Sequence, residues 1–372
     1  MIYRDAIQDS AFLQLAAERG VCVSLFLPTS RVTQDAQADR TRLRNLGKEA
    51  MAQAATIADK RAVRAMEAML DELAGDDAFW AYQANGLGVL LTPERIRSYR
   101  LAYPVPAAAE VSDRFHLKPL VPALRPQSAY VLALAQKHVK LHEFTPAREL
   151  VEVAVPGMPS DISQVLSPQQ PADPAGVPRL PDDDGQRKAV LTQFVRAVER
   201  AVRPVVSASH VPLILAGTEE LRAIYRSLNH YELLAEQSLG GSIDTAQEEE
   251  QLRRDLQPIV QALRQARLDR WVALYRQRQG EQRAVADLAT IAKLATQGQV
   301  GQLLVDIEQV QYGQLDAGGA LMLTPERSAE SYDVIDEVIV RVMQAGGEVL
   351  AVRPDEQAPA ELLPLAAVLR WA

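Results

Sequence analysis

The chain has 372 residues, of which 48% are hydrophobic and 24% are charged. This composition is that of a globular protein, and it excludes disorder throughout, a collagen-like repeat and a small disulfide-stapled fold. The formal net charge of -8 argues against a globally basic nucleic-acid binder, although a local basic face is compatible with it. The single cysteine, Cys22, excludes an intramolecular disulfide and a multi-cysteine metal site, and its apolar neighbours predict a buried thiol.

The first residues lead into a charged, helix-patterned stretch without the apolar core of a signal peptide. No stretch approaches the roughly 18 consecutive apolar residues of a membrane span. We therefore expect a cytoplasmic protein with no membrane segment.

The first segment is predicted to mix helices with strands. A helix is expected over 5–19, and a long helical region over 35–73 has a joint at 56–61, where Asp59 suits the N-cap of a second helix. Strands are expected at 21–27, 86–91, 96–102 and 115–120. Prolines 119, 122 and 126 predict a linker after these elements.

The middle segment is predicted to be α/β. Strands are expected at 129–136, 139–144 and 211–216, and helices at 187–202, 219–227 and 245–278. The stretch 156–184 is rich in Pro, Asp, Gln and Gly, with too little apolar content to pack, so it is predicted to be a long mobile loop.

In the third segment helices and strands alternate, which favours a small α/β/α sandwich. Helices are expected at 284–295 and 332–345, and strands at 302–306, 348–352 and 366–369. The fold class predicted for the whole chain is mixed α/β. Three domains are expected: an N-terminal α+β domain at 1–126, a middle α/β domain at 127–278 that contains the loop, and a C-terminal α/β/α domain at 279–372.

Sequence motifs of common enzyme and metal sites are missing. The chain has no G-x-S-x-G, Walker A or G-x-G-x-x-G motif. His138 and His142 have a spacing that suits two metal ligands only on a helix, whereas a strand-turn-strand is predicted there. The other histidines are isolated and are expected to be structural. No metal site and no cofactor are predicted.

The run Asp182-Asp183-Asp184-Gly185-Gln186 allows two interpretations. In the first, Asp184 or a neighbouring aspartate caps the helix that follows and complements its dipole. In the second, Gly185 and Gln186 form the tip of a functional loop. Glutamine can orient a water molecule, and glycine lets the backbone approach a substrate closely.

Two groups of cations stand out in the helical region of the first segment. Arg40, Arg44 and Lys48 share one helical face, and Lys60, Arg61 and Arg64 cluster at the next joint. A solvated helix face is one interpretation of these residues. Contact with nucleic-acid phosphates is the other.

The order of the three segments resembles the archaeal–eukaryotic class-one translation release factors and their Pelota relatives, and more narrowly the bacterial archaeo-eukaryotic release factor-like family. The strongest resemblance lies in the third segment, at 298–305, 346–349 and 365–371. The middle segment is similar at 129–134 and 211–217, and weaker similarity lies at 23–29 and 85–90. Together these stretches span nearly the whole chain.

The resemblance implies a ribosome-associated translation factor that acts in the ribosomal A site, in rescue, release or hibernation. Its third domain would have a fold similar to kink-turn-binding ribosomal proteins. The implied partners are the ribosome, tRNA or rRNA, and a translational GTPase. Domain one would face the decoding region, where the cations named above are the expected RNA contacts.

The resemblance also implies a catalytic pair, Gly185 and Gln186, in which Gln186 would position the water that attacks peptidyl-tRNA. The Gly-Gly-Gln motif of the family is incomplete, because Asp184 stands at its first glycine, and the neighbouring aspartates would repel RNA phosphates. The joint at 56–61 does not match the stop-codon-reading motif. Two alternatives therefore remain open: a non-catalytic RNA- or protein-binding stress-response protein, and a conventional hydrolase.

Overall fold

The computed structural model describes residues 7–30, 36–124, 128–145, 150–165, 181, 183–209, 211–240, 246–325, 331–352 and 356–371. The chain forms two compact units, one built from Met1–Arg125 together with Gln265–Ala372, and the other from Pro126–Arg264. Helices and four sheets alternate along the chain, so the predicted mixed α/β fold class is confirmed.

The first segment is a four-stranded antiparallel sheet with order β3-β2-β1-β4. Its strands are β1 (Cys22–Pro28), β2 (Gly86–Thr92), β3 (Arg95–Leu101) and β4 (Ala108–Ser112). Its helices are α1 (Asp9–Ala16), α2 (Ala36–Ala54), α3 (Lys60–Gly75), α4 (Asp77–Trp80) and α5 (Val121–Leu124). Strand β1 alternates: Val23 and Leu25 pack with α2 and α3, whereas Cys22 and Phe26 belong to the core on the other face. Burial on both faces explains the continuous apolar run.

The predicted strand at 115–120 is wrong. Lys118–Leu120 form a 3-10 turn that leads into α5. The N–H of His116 donates to the hydroxyl of Ser24 (2.9 Å), and that of Leu117 donates to the carboxylate of Asp336 (2.9 Å). Because these donors bond to side chains, they make no strand ladder. The fourth strand of the sheet is β4 instead, which the sequence did not predict.

The middle unit is a five-stranded sheet with order β7-β6-β5-β8-β9. Its strands are β5 (Ala129–Leu134), β6 (Val139–Phe144), β7 (Leu150–Val153), β8 (Leu213–Gly217) and β9 (Leu234–Leu239). Its helices are α6 (Asp184–Ser209), α7 (Glu219–Leu228) and the first part of α8 (Ala246–Gly280). The apolar sides of α6 and α7 cover one face of the sheet, and α8 contributes Leu252 and Leu256 to the core on the other face.

The stretch predicted as a loop at 156–184 is only partly described. Its first residues contain a 3-10 helix, Ile162–Val165, and Met158 and Ile162 pack against the core under α6. Its last residue, Asp184, is already helical. Residues 166–180 and 182 lie outside the described residues. Four apolar side chains spaced between 155 and 165 are therefore enough to anchor the start of this segment.

The third segment is a sheet with order β10-β16-β11-β15 between two helical layers. Its elements are β10 (Ala284–Val285), α9 (Leu288–Thr296), β11 (Val300–Asp306), β12 (Tyr312–Leu315), β13 (Leu321–Leu323), β14 (Tyr332–Asp333), α10 (Val334–Gln344), β15 (Glu348–Val352) and β16 (Leu365–Leu369). Helices α9 and α10 pack on one face, and α8 packs Trp271 and Tyr275 on the other. The predicted α/β/α layering is confirmed. Strands β13-β12-β14 form a separate small sheet.

Two predicted helices of this segment begin later than expected. Residues 284 and 285 pair with β16, so α9 starts only after Asp287, which caps it. Residues 332 and 333 pair with β12, so α10 starts after Asp333. The division of the chain into three domains stays a prediction, and residues of the first and third segments share one hydrophobic core. Among the described helices, none is both long and apolar enough to cross a membrane.

Candidate functional site

The predicted RNA-contacting cations all lie on the helical pair formed by α2 and α3. The two helices are joined by a tight turn, after which the carboxylate of Asp59 accepts a hydrogen bond from the N–H of Ala62 (2.8 Å). The predicted N-cap is therefore confirmed. The apolar side of the pair covers the sheet, which leaves the polar side in solvent.

Five of the six predicted cations are exposed on this pair. We call α2 and α3 with these five residues the basic hairpin: Arg44, Lys48, Lys60, Arg61 and Arg64. None of the five makes an ion pair within the described part of the chain; Arg44 makes one long hydrogen bond (3.5 Å) to the carbonyl of Ala74. Unpaired cations on neighbouring helical turns repel one another, and an anionic partner would relieve that repulsion.

Arg40 differs from the other five. Its guanidinium lies 2.7 Å from the carboxylate of Asp77 and about 6.0 Å from the ring centroid of Trp80, and its side chain is only 17% exposed. It thus ties α2 to α4. The structure places Arg40 in a structural contact rather than on the open surface of the hairpin.

Gly185 and Gln186 lie in the first turn of α6, and both are exposed. The carboxylate of Asp183 accepts a hydrogen bond from the N–H of Gln186 (2.9 Å), and its carbonyl accepts one from the N–H of Arg187 (2.8 Å). The expectation that an aspartate of this run caps the helix is confirmed, with Asp183 as that residue. Gly185 has no left-handed backbone conformation. The catalytic role of the pair stays a prediction.

A third cluster, which the sequence did not predict, joins the first and third segments. The run from Arg114 to Lys118 faces the start of α10. Its cations occupy every second position, and each meets one carboxylate of the third segment. We call these three pairs the charge ladder: Arg114–Glu337 at 2.6 Å, His116–Asp336 at 2.5 Å and Lys118–Asp333 at 2.5 Å. All six side chains are less than 20% exposed. Arg114 also pairs with the neighbouring Asp113 at 2.9 Å.

Further contacts complete the charge ladder. Asp333 also caps α10, since its second oxygen accepts from the N–H of Ile335, and Lys118 donates to the carbonyl of Gln309. The guanidinium of Arg114 stacks 3.8 Å from the ring centroid of Tyr332. Burial raises the pKa of Asp333, and the charge of Lys118 opposes that rise only in part.

One side of the ladder has the composition of a metal site. His116, Asp333 and Asp336 each offer a ligand atom, and these atoms lie within 4.8 Å of one another. However, the ammonium of Lys118 bonds directly to Asp333, where a metal ion would need that oxygen. Nδ1 of His116 and the carboxylate of Asp336 likewise pair with each other, so these two ligand atoms are already engaged. The cluster is therefore built as an ion-pair network.

The sequence carries a local signal for the cations of the charge ladder. In Arg114-Phe115-His116-Leu117-Lys118 the cations recur every second residue, with buried apolar side chains between them. Such an alternation is typical of an extended segment with a charged partner on one side. The partner carboxylates follow more than 200 residues later, so spacing alone could not identify them.

His138 and His142 lie in the strand-turn region that the sequence predicted for them. His142 lies in β6 and His138 in the turn before it, so the two do not share a helical face.

The middle unit carries the match to a known family. Residues 126–266 match the family described as bacterial archaeo-eukaryotic release factor family 11, so the resemblance found in the sequence is confirmed for this part of the chain. No curated protein matches the chain.

Several solved structures are similar at low identity. The archaeal translation termination factor aRF1 is 14% identical, with 98% of this chain and 99% of that one covered and a TM-score of 0.25. Pelota from Archaeoglobus fulgidus is 12% identical, with 100% and 94% covered and a TM-score of 0.35. Dom34 from S. cerevisiae, a translation termination-like factor interacting with Hbs1, is 12% identical, with 77% and 79% covered and a TM-score of 0.43. With TM-scores this low, these likenesses define neither the function nor the site of this chain.

Proposed function

We propose that this chain is a release-factor-like translation factor that binds the ribosome in the A site through the basic hairpin. The observation that supports this proposal most is the match of residues 126–266 to a bacterial archaeo-eukaryotic release factor family. The ribosomal partner would be rRNA or tRNA, and a translational GTPase is the protein partner that the resemblance implies.

The basic hairpin suits a polyanion with regularly spaced phosphates. Its five exposed cations make no ion pairs within the described residues, so no internal salt bridge has to break when a phosphate binds. Each phosphate neutralised would release counterions, with a salt dependence of about 0.7 to 0.9 log units of affinity per log unit of salt concentration. The net charge of -8 does not oppose this binding, because the contacts are local.

Binding without hydrolysis fits the start of α6 better than hydrolysis does. Gln186 is exposed and could orient a water molecule, but Asp183 and Asp184 lie beside it. Their negative charge would oppose the close approach of tRNA phosphates. We therefore propose a role in ribosome rescue or hibernation. A direct test on Gln186 decides whether the factor also hydrolyses peptidyl-tRNA.

The proposal is tested by sedimentation with ribosomes at low salt. The wild-type protein should co-sediment, and the double charge reversal Lys48→Glu/Arg61→Glu should weaken binding at least tenfold. The matched control is Arg254→Glu/Arg276→Glu, which changes the net charge equally at side chains that are 69% and 66% exposed outside the hairpin. If the wild-type protein stays in the supernatant, the ribosomal role is excluded.

Release chemistry is tested with peptidyl-tRNA on stalled ribosomes. If the wild-type protein releases peptide and Gln186→Ala does not, Gln186 is catalytic. Equal release by both proteins would remove Gln186 from the mechanism.

A second function is favoured by the incomplete Gly-Gly-Gln: a non-catalytic RNA- or protein-binding stress-response protein. In that case the wild-type protein would bind isolated structured RNA with a steep salt dependence and would not co-sediment with ribosomes.

A further inference from the structure

The charge ladder joins the first and third segments through three ion pairs whose side chains are all less than 20% exposed. Its carboxylates stand at the start of α10, and its cations lie on the run that follows β4. Buried ion pairs contribute little net stability, but they fix the relative position of the parts they join. Among the three cation types of the ladder, only histidine ordinarily titrates between pH 5 and 8.

We propose that the pair of His116 and Asp336 is a pH-sensitive latch that holds the first segment on helix α10. The imidazole Nδ1 lies 2.5 Å from the Asp336 carboxylate, and the two side chains are 12% and 7% exposed. The same carboxylate oxygen accepts the N–H of Leu117, so the pair fixes both the side chain and the backbone of the run. Loss of the charge on His116 therefore removes the ionic attraction at the point where the run is attached to α10.

Charged groups reach His116 from both sides. Helix α10 and its cap present Asp333, Asp336 and Glu337, and the run itself presents Arg114 and Lys118. Strand β1 presents no charge, since it contributes only the hydroxyl of Ser24 and the edge-on ring of Phe26. The carboxylates nearest to His116 therefore decide its charge.

The pKa of His116 reflects this competition. Burial disfavours the charged ring, but the charge and hydrogen bond of Asp336, helped by Asp333, outweigh burial and raise the pKa above the ordinary value. A group whose pKa is raised on folding stabilises the folded state fully below its unfolded pKa, about 6.5 for histidine. That stabilisation is lost as the pH rises through the folded pKa. The latch is thus closed below about pH 6.5 and weakens as the pH rises through the raised pKa of His116.

When His116 loses its charge, the buried carboxylate of Asp336 becomes unfavourable. The second oxygen of Asp336, Oδ1, is buried and has no hydrogen-bond partner among the described residues. With a neutral imidazole beside it, the carboxylate keeps its desolvation cost without the compensating charge. Separation of the run from α10, which lets water reach Asp336, is the relief available to it.

Cys22 provides a probe of this opening. It is the chain's one cysteine, it is fully buried, and it lies in the core that the first and third segments share. Burial is the main cause that raises its pKa to about 12, so the thiol is protected while the latch is closed. Its alkylation rate, divided at each pH by the rate of an unstructured cysteine peptide, reports the open fraction.

The experiment follows Cys22 protection in the full-length protein between pH 5.5 and 9. We expect protection to be highest near pH 6 and to fall as the pH rises, by up to about tenfold for each unit between the folded and unfolded pKa of His116. In the His116→Gln variant, Cys22 protection should no longer fall as the pH rises. The control is His230→Gln, which removes a 72% exposed histidine of the middle unit and should keep the fall.

Two results would overturn the latch: protection that does not change with pH in the wild-type protein, or an unchanged fall in His116→Gln. If that variant does not fold, the NMR titration of His116 in the wild-type protein replaces it. A midpoint above 6.5 that coincides with the loss of protection supports the latch, and a midpoint at or below 6.5 refutes it. Ribosome binding plays no part in either measurement.

Discussion

Lys118 and Asp333 are 215 positions apart in the chain, and their charged atoms lie 2.5 Å from each other with side chains that are 0% and 2% exposed. No water can screen either charge at such burial. Each residue is therefore tolerated in the core only because the other is present. This mutual dependence makes the pair sensitive to single substitutions and much less sensitive to paired ones.

Lys118→Met should lower the free energy of unfolding by about 3–5 kcal/mol, because it leaves the buried Asp333 carboxylate without its cation. Lys118→Met/Asp333→Asn should recover much of that loss, since asparagine can still cap α10. Urea denaturation measures both. Lys140→Met is the control at an exposed pair with Glu152 and should change stability by no more than about 1 kcal/mol. Equal effects of the two lysine substitutions would contradict the prediction.

Arg40→Ala and Lys48→Ala should affect different properties. Arg40 is tied to Asp77 and Trp80, so its loss should lower the melting temperature with little change in the salt dependence of RNA binding. Lys48 is exposed, so its loss should leave the melting temperature unchanged and reduce the salt slope by about one. Calorimetry and RNA titration at several salt concentrations measure the two effects. A reversed pattern would remove the distinction between Arg40 and the basic hairpin.

Asp183→Ala should destabilise the first turn of α6, because the N–H of Gln186 loses its acceptor. Loss of an N-cap costs about 0.5–2 kcal/mol. Hydrogen exchange of the amides at the start of α6 should become faster, while the rest of the middle unit is unchanged. Asp183→Asn keeps the acceptor and should behave like the wild-type protein. If the asparagine variant exchanges as fast as the alanine variant, the charge rather than the hydrogen bond matters.

Gly217→Ala should destabilise the middle unit. Gly217 ends β8 with φ at 149°, and a Cβ there would overlap the carbonyl oxygen of Leu134 in β5. Gly280→Ala is the matched control, since no atom lies within 4 Å of its added Cβ at the end of α8. Thermal unfolding should show a clear loss for Gly217→Ala and none for Gly280→Ala. A neutral Gly217→Ala would mean that β5 and β8 can move apart.

Local patterns in the sequence predicted most of the elements that carry the candidate sites. The helical region at 35–73, with its joint at 56–61 and the cap at Asp59, predicted α2 and α3. The strands expected at 86–91 and 96–102 predicted β2 and β3. These elements follow from neighbours within a few positions of each other. The same holds for the helix cap at Asp183.

Long-range partners explain what could not be predicted. The stretch 115–120 is apolar enough to suggest a strand, but the N–H groups of His116 and Leu117 bond to the side chains of Ser24 and Asp336. The partial burial of Arg40 depends on Asp77 and Trp80, which belong to another helix. Nothing near Arg40 in the sequence indicates that burial.

The place of β16 in its sheet sets an order for folding during synthesis. β16 follows the other three strands of its sheet in the chain, yet it lies between β10 and β11 and is hydrogen-bonded to both. The sheet cannot close before this strand has left the exit tunnel, and the first segment, which precedes the middle unit, shares its core with the third. The described strands of the middle unit all come from Pro126–Arg264. This unit can therefore fold before the first and third segments have formed their shared core. A nascent chain of this protein is thus expected to fold from its centre outward.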